Sequence, residues 1–326
     1  MRILATGGAG YVGSAVVRAL LARGHHCVVY DNLSKGHRGA IPADCLVEAD
    51  LADCEQLVSV LREQKIEAVM HFAGFIAVGE SVENPRLYYR NNLGDSLNLL
   101  EAMVDAKVDK ILFSSTAAVY APIKSGALQE DSPKCPGSPY AFSKYAFERL
   151  IQDFSRAYGM GFTILRYFNA CGGSEEGCFG EAHDPETHLI PLVLQVPLGQ
   201  RQFIGIFGND YDTPDGTCVR DYIHVDDLAD AHIRAMEAME AGKGNFYNIG
   251  TGTGNSVLEV ISAAEKVTGK KIATKMLGRR AGDTDRLVAG ADKLRRELDW
   301  TPRYASLREI IASAWQWHKS HPRGYE

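Results

Sequence analysis

The stretch that most restricts the fold is Arg2-Ile3-Leu4-Ala5-Thr6, followed at once by Gly7-Gly8-Ala9-Gly10-Tyr11-Val12-Gly13. The first five residues have the apolar character of a short buried strand, and an amphipathic helix pattern runs from about Tyr11 to Arg23. The glycines between them satisfy both a GxxGxxG and a GxGxxG spacing. Glycine permits the tight turn and lets a pyrophosphate approach the backbone, where a helix N-terminus offers free N–H groups and the positive end of its dipole. Alone, such a motif also fits any glycine-rich strand–helix turn. The next strand adds to it. His26-Cys27-Val28-Val29-Tyr30 is apolar and ends in Asp31, 24 residues after Gly7. A carboxylate there can bind ribose hydroxyls and repels a 2′-phosphate, which favours NAD over NADP. Lys35 and Arg38 follow closely and soften that preference.

The alternation continues along the chain. Further strands are expected at Cys45–Glu48, Ala68–Phe72, Ile111–Ser114 and Phe162–Arg166, and helices at Cys54–Gln64, Pro85–Ala106 and from Tyr140 to about Tyr158. Apolar strands alternating with helices imply an α/β fold: a Rossmann-type doubly wound parallel sheet that binds ligands at the carboxyl ends of its strands. Asp50-Leu51 ends the third strand on the side expected for adenine. His71-Phe72-Ala73-Gly74 closes the fourth with small residues that let a cofactor approach. Ser114-Ser115-Thr116 closes the fifth with hydroxyls, which serve either a site or simple turn capping.

At 326 residues the chain exceeds the roughly 250–300 residues over which one core keeps growing. The expected division is residues 1–170 as the dinucleotide-binding domain, with a segment near 219–249 returning to it, and 171–326 as mainly a smaller α/β substrate domain. In that second part Cys171–Asp184 reads as a loop or a lid. Helices are expected at Leu189–Leu198, Val225–Ala241, Ser256–Thr268 and Leu307–His318, and strands at Gln202–Phe207 and Asn245–Ile249. The net charge of −6 comes without long blocks of either sign, which disfavours a nucleic-acid or anionic-membrane surface. Seven scattered cysteines without a CxxC suit reduced thiols in a cytoplasm. The ten histidines show no HExxH or other familiar ligand spacing, so no metal is expected. No signal peptide or membrane span is expected either.

The chemistry points to Ser138-Pro139-Tyr140-Ala141-Phe142-Ser143-Lys144. Ser138 suits a helix cap and Pro139 the first helical position, so Tyr140 and Lys144 share one face a turn apart. An ammonium beside a phenol favours the phenolate and lowers its pKa from about 10, making a general base for a sugar hydroxyl. The same spacing recurs at Tyr120/Lys124, but Pro122 lies between those two and argues against a helix.

Taken together, the residues resemble the extended short-chain dehydrogenase/reductase family over nearly the whole chain. The carrying stretches are TGGAGYVG at 6–13, YDNLS at 30–34, HFAG at 71–74, AVGES at 77–81, YAFSK at 140–144 and LRYFNACG at 165–172. FGNDYDTPDGT at 207–217, VRDYIHVDDLADAH at 219–232, YNIGTGTGNSV at 247–257 and RRAGD at 279–283 complete the set. The resemblance implies reversible inversion at C4 of UDP-glucose and UDP-galactose, through a 4-keto sugar, with NAD tightly bound and regenerated each turnover. It implies Tyr140 as the base, Lys144 as its tuner and a ribose ligand, and Thr116 as a hydroxyl on the same sugar oxygen. Cofactor contacts are implied for Gly7, Gly10, Tyr11, Val12, Gly13, Asp31, Asn32, Asp50 and Leu51. They are implied also for Phe72, Ala73, Gly74, Ser114, Tyr140, Lys144 and Tyr167. The UDP-sugar is implied to meet Thr116, Tyr140, Asn169, Leu189, Phe207, Arg220, Arg280 and Asp283. Two arginines facing a diphosphate make physical sense, since guanidinium pairs bidentately with phosphate oxygens.

Three positions depart from the family pattern. Ile76 replaces a lysine near the cofactor, His188 stands before Leu189 where Asn is usual, and Leu287 occupies a place associated with admitting N-acetylated sugars. The alternatives are a 4-epimerase for UDP-N-acetylhexosamines or UDP-pentoses, a sugar-nucleotide dehydratase, and a non-catalytic NAD sensor. A dehydratase needs an acid directly after Thr116, and Ala117-Ala118 cannot donate a proton. A sensor has no use for Thr116, Tyr140 and Lys144 together. The helices Pro85–Ala106 and Tyr140–Tyr158 resemble those that pair with their copies in dimeric relatives, so a homodimer is expected; Phe147 and Leu150 are either in that interface or in the core.

Overall fold

The computed structural model describes residues 1–123, 125–280 and 283–326. Seven strands form one parallel sheet, in the order Gly244–Ile249, Gly161–Tyr167, Lys110–Thr116, Ala68–His71, Arg2–Thr6, His26–Asp31, Leu46–Glu48. The doubly wound expectation therefore holds, and the order reverses beside Arg2–Thr6, which opens a crevice at the carboxyl ends of the strands. Apolar residues fill both faces. Ile3, Val29, Met70, Leu112 and Leu165 pack under the helices Tyr11–Ala22 and Val225–Glu237 on one side. Leu4, Val28, Val69, Phe113 and Ile164 pack under Cys54–Glu63, Ser96–Ala106 and Pro139–Tyr158 on the other. Two-sided burial is what leaves these strands as continuous apolar runs rather than alternating ones.

The expected long helix Pro85–Ala106 is interrupted. It runs as Pro85–Tyr89, a π-helical Arg90–Asp95 and then Ser96–Ala106. The widened turn carries the buried Asn92, which accepts from Phe75 N at 2.8 Å and donates to Phe75 O at 3.0 Å and Ser143 Oγ at 3.2 Å. Such bulges commonly serve a site, and here it clamps the turn after Gly74.

A second group of elements has its own core. Val219–His224 pairs antiparallel with Gly254–Ser256 and parallel with Arg286–Leu287 and Asn169–Cys171, while Ile204–Phe207 pairs with Thr274–Leu277. Ile190, Val193, Ile206, Tyr222, Val260 and Ile311 pack beneath Leu189–Gln195, Val257–Thr268 and Leu307–Ser320. The strand Val219–His224 has no apolar pattern because Asp221 at its centre is fully buried. Its carboxylate accepts from the N–H groups of Thr251, Gly252 and Ala289 and from the Thr251 hydroxyl. Phe147 is fully buried in the large sheet's core and Leu150 packs against it, while Tyr89, Phe142 and Tyr158 are exposed aromatics on those helices.

Candidate active site

The dinucleotide turn is built for close approach. Gly7 has φ +69°, and a Cβ there would lie 2.4 Å from the Ala73 nitrogen; one on Gly13 would lie 2.4 Å from the Gly7 oxygen. Both positions therefore require glycine. Gly10 caps the helix Tyr11–Ala22 without a side chain, so the N–H groups of Tyr11 and Val12 stay available to an anion. Asp31 is buried at the end of its strand. Its carboxylate accepts from Ala9 N at 2.9 Å and Leu33 N at 2.8 Å, while burial raises its pKa against those bonds. Asn32 donates to the Asp50 carboxylate at 2.7 Å, and Leu51 O accepts from Asn98 at 3.0 Å, so these residues sit together along one rim. The glycine turn, the uncapped helix and the carboxylate fit a dinucleotide.

Tyr140 and Thr116 meet. Ser138 caps the helix Pro139–Tyr158 by accepting from Ala141 N at 3.2 Å, Pro139 occupies its first turn, and Tyr140 follows. The half-buried Tyr140 lies beside the Thr116 side chain. Burial raises the phenol's pKa and the Thr116 hydroxyl opposes that. Lys144 is fully buried, and burial pushes it down to about 8. Its Nζ donates to Ser114 O at 3.2 Å, lies 4.9 Å from the Phe113 ring centre and sits against Gly74, where a Cβ would be 3.3 Å away. The expected lowering of Tyr140 by Lys144 is thus not seen: the ammonium is turned to a backbone carbonyl.

Behind these residues the proton positions follow from the bonds. His232 Nδ1 is 2.8 Å from Leu228 O and must carry the proton, so Nε2 accepts from Ser114 Oγ at 2.8 Å. Burial holds His232 near 4, hence neutral. Tyr167 lies beside Ser114, whose hydroxyl opposes the rise that burial imposes on the phenol's pKa. Tyr167 is the register partner of Thr116 across the two strands, which places Tyr167, Ser114, Thr116 and Tyr140 around one point. Phe72 lies with its ring 5.3 Å from His232.

Tyr120 belongs to a different network. Arg166 and Glu148 form a buried bidentate pair at 2.9 and 2.6 Å, Ser115 donates to Glu148 at 2.5 Å, and Arg166 donates to Tyr120 Oη at 3.0 Å. Tyr120 in turn donates to Asn248 at 2.6 Å. Its expected decoy partner Lys124 lies outside the described residues.

Toward the second core, Arg220, Arg280, Asp283 and Phe207 converge. Asp283 lies 3.6 Å from Arg220 Nη2 and 3.2 Å from Arg280 Nε, and the Arg280 guanidinium is 5.1 Å from the centre of the exposed Phe207 ring. Ala281 and Gly282 of the RRAGD stretch lie outside the described residues. Asn169 donates to Asp221 O at 2.9 Å, and Leu189 begins its helix after His188, which caps it without a side-chain bond. Leu287 pairs in register with Arg220, and Ile76 is exposed.

The segment Cys171–Asp184 is irregular for most of its length and is held against the dinucleotide turn and the loop after Asp31. Gly172 O accepts from the Tyr11 hydroxyl at 2.7 Å, Phe179 stacks on Tyr11, Ala182 O meets His37 Nε2 at 2.6 Å, and Asp184 O accepts from Lys35 at 2.8 Å. Sequence spacing missed Asn92 and His232, neither of which carries a local signal. It also missed a cluster of Glu181, His183, Glu186 and His188, whose ligand atoms all lie within 4.8 Å of one another. These four sit on irregular backbone, not at the i, i+4 spacing of an HExxH helix.

Residues 3–250 match the NAD dependent epimerase/dehydratase family. The UDP-glucose 4-epimerase of Lacticaseibacillus casei is 46% identical over 327 residues, covering 100% of this chain and 99% of its own. A crystal structure of a UDP-glucose 4-epimerase superposes with a TM-score of 0.96 at 46% identity over 100% of both chains. That of the Bifidobacterium longum UDP-glucose 4-epimerase in complex with NAD+ and UDP superposes at 0.94, with 37% identity over 99% of this chain and 100% of that one. The chain belongs to the NAD dependent epimerase/dehydratase family.

Proposed function

We propose that this protein is an isomerase that interconverts UDP-glucose and UDP-galactose by inverting C4. The observation that carries the reading is the Tyr140–Thr116 hydroxyl pair at the carboxyl end of the sheet, beside a buried Lys144 that lies against Gly74. NAD fits the glycine turn and Asp31 and, when bound, supplies reversible two-electron oxidation at C4 together with a positive charge that favours the phenolate. Tyr140 takes the proton of the sugar 4-hydroxyl and returns it after the 4-keto sugar has turned over. Thr116 holds the same oxygen, and Lys144 keeps the local charge positive. Arg220, Arg280, Asn169 and Leu189 are assigned to the UDP portion, with Phe207 beside the uracil and Asp283 setting the two arginines.

The same reading divides the chain into residues 1–170 with a return near 219–249 for NAD, and 171–326 mainly for the UDP-sugar. It includes a homodimer through the helices bearing the exposed Tyr89 and Phe142, whose rings are 6.1 Å apart. A cytoplasmic setting agrees with seven free cysteines and with the lack, among the described residues, of a helix long and apolar enough to cross a membrane. The test is incubation of purified protein with UDP-galactose, without added cofactor, followed by chromatography. UDP-glucose should appear and denaturation should release NAD. Conversion of N-acetylated substrates alone, or strict dependence on added NADPH, overturns the reading.

A further inference from the structure

The cluster Glu181, His183, Glu186 and His188 is drawn from eight consecutive residues between the dinucleotide turn and the helix Leu189–Gln195. The side chains of Glu181 and Glu186 are 3% and 8% exposed, so two carboxylates are taken out of water together. His183 Nδ1 faces both, 3.0 Å from Glu181 Oε1 and 3.8 Å from Glu186 Oε2. His188 Nδ1 bonds to Glu181 Oε1 and is 3.7 Å from Glu186 Oε1.

One feature separates this group from a pair of ordinary ion pairs. The Nδ1 atom of His183 is fully enclosed and has no hydrogen-bond partner, because the Glu181 oxygen 3.0 Å away lies off the line of an N–H bond. A deprotonated ring nitrogen beside two carboxylate oxygens, with no hydrogen bond to either, is available to ligate an ion. Buried polar atoms left without a partner are rare, and an ion is one way of satisfying them. Four ligands at about 2.1 Å from a tetrahedral centre lie roughly 3.4 Å apart. Three separations here are 3.0, 3.7 and 3.8 Å and all four ligand atoms lie within 4.8 Å, while His188 Nδ1 and Glu181 Oε1 are in direct contact and would have to part to admit the ion. Two imidazole nitrogens with two carboxylate oxygens are the donors of zinc and its neighbours rather than of magnesium or calcium.

We infer that Glu181, His183, Glu186 and His188 form a closed structural site for one divalent transition-metal ion of the zinc type. Four protein ligands leave no open position for a reacting water, so the site is not a catalytic one. Its place in the fold gives its purpose. Trp317 Nε1 donates to Glu181 O at 2.8 Å, the His183 ring meets Tyr11 edge-on with centres 6.1 Å apart, and His188 opens the helix beginning at Leu189. The ion would fasten the segment that closes over Tyr11 and Lys35 to the end of the chain and to the substrate-side helix.

The experiment measures metal rather than activity, so it is independent of the epimerase reading. The full-length protein is stripped with a chelator, dialysed, and titrated calorimetrically with Zn2+, Ni2+ and Mg2+ separately. Metal content and thermal midpoint are then recorded for wild type, His183→Gln and Glu186→Gln. The expected result is about one Zn2+ per chain, at least tenfold weaker binding in either variant, no Mg2+ binding, and a midpoint that the chelator lowers in wild type only. Stripped wild type that takes up no Zn2+ and melts unchanged overturns the inference, as does Zn2+ binding of equal strength in folded His183→Gln and Glu186→Gln. Should either variant fail to fold, the wild-type titration and the chelator effect decide alone.

Discussion

Lys144 donates from Nζ to the Ser114 carbonyl at 3.2 Å, so the ammonium one helical turn from Tyr140 is fixed by the strand that also carries Thr116. Burial holds this lysine at about 8, from an ordinary value of 10.5. A depressed lysine costs stability while it is charged. The unfolded chain binds the extra proton between about pH 8 and 10.5, so wild type gains stability as pH rises through that window. Lys144→Met lacks the penalty, and its advantage in thermal midpoint over wild type should shrink from pH 8 to pH 10. A constant difference across that range counts against the buried charge. The same titration predicts an alkaline fall in wild-type kcat near pH 8.

Tyr140 and Thr116 contribute in different measure. Tyr140→Phe removes the proposed base beside Thr116, and kcat should fall by about 10³, within the range for general base catalysis. Thr116→Ser keeps a donor and an acceptor and should stay within a few-fold of wild type, while Thr116→Val should lose about tenfold or more. Steady-state rates on UDP-galactose check all three. Equal loss in the Ser and Val variants would show that the hydroxyl is not what matters.

How far the sequence reached depends on the range of each interaction. The seven-stranded sheet was legible because apolar strands and glycine turns are local signals: Gly7, Asp31 and Thr116 stand at its strand ends, and Tyr140 in the capped first turn of a helix. The orientation of Lys144 was not, since it depends on a carbonyl 30 residues away. Nor was the strand Val219–His224, whose buried Asp221 looks polar in sequence and is satisfied by Thr251, Gly252 and Ala289. The π-helical turn at Asn92 is likewise set by the loop it clamps, not by its own residues.

The Arg166–Glu148 pair is buried on both sides, so removing one partner leaves a charge without its counterion. Glu148→Gln should destabilise the fold by about 3 kcal/mol or more, measured by urea denaturation. The double replacement Glu148→Gln with Arg166→Met should cost less than the two single changes added together. Additivity of the two would mean that the charges do not interact.

Phe207, Arg280, Asp283 and Arg220 form a chain of contacts in which the single carboxylate bridges two guanidinium groups. Arg220 is the more buried arginine, and its Nη1 also donates to Val219 O at 3.0 Å and Thr284 O at 2.8 Å, so it is already oriented for an incoming anion. A charge-assisted bond contributes about 1.5–3 kcal/mol, or roughly ten- to hundredfold in affinity. Arg220→Ala should therefore weaken UDP binding by that factor in calorimetry and raise KM more than it lowers kcat. Arg280→Ala, at a more exposed position, should have a smaller effect of the same kind. Asp283→Ala should weaken UDP by loosening both arginines, and less at low salt than at high salt, because the freed guanidinium charges attract the diphosphate more strongly when ions do not screen them. Unchanged UDP affinity in Arg220→Ala would remove the diphosphate from this cluster and leave it as a surface ion network.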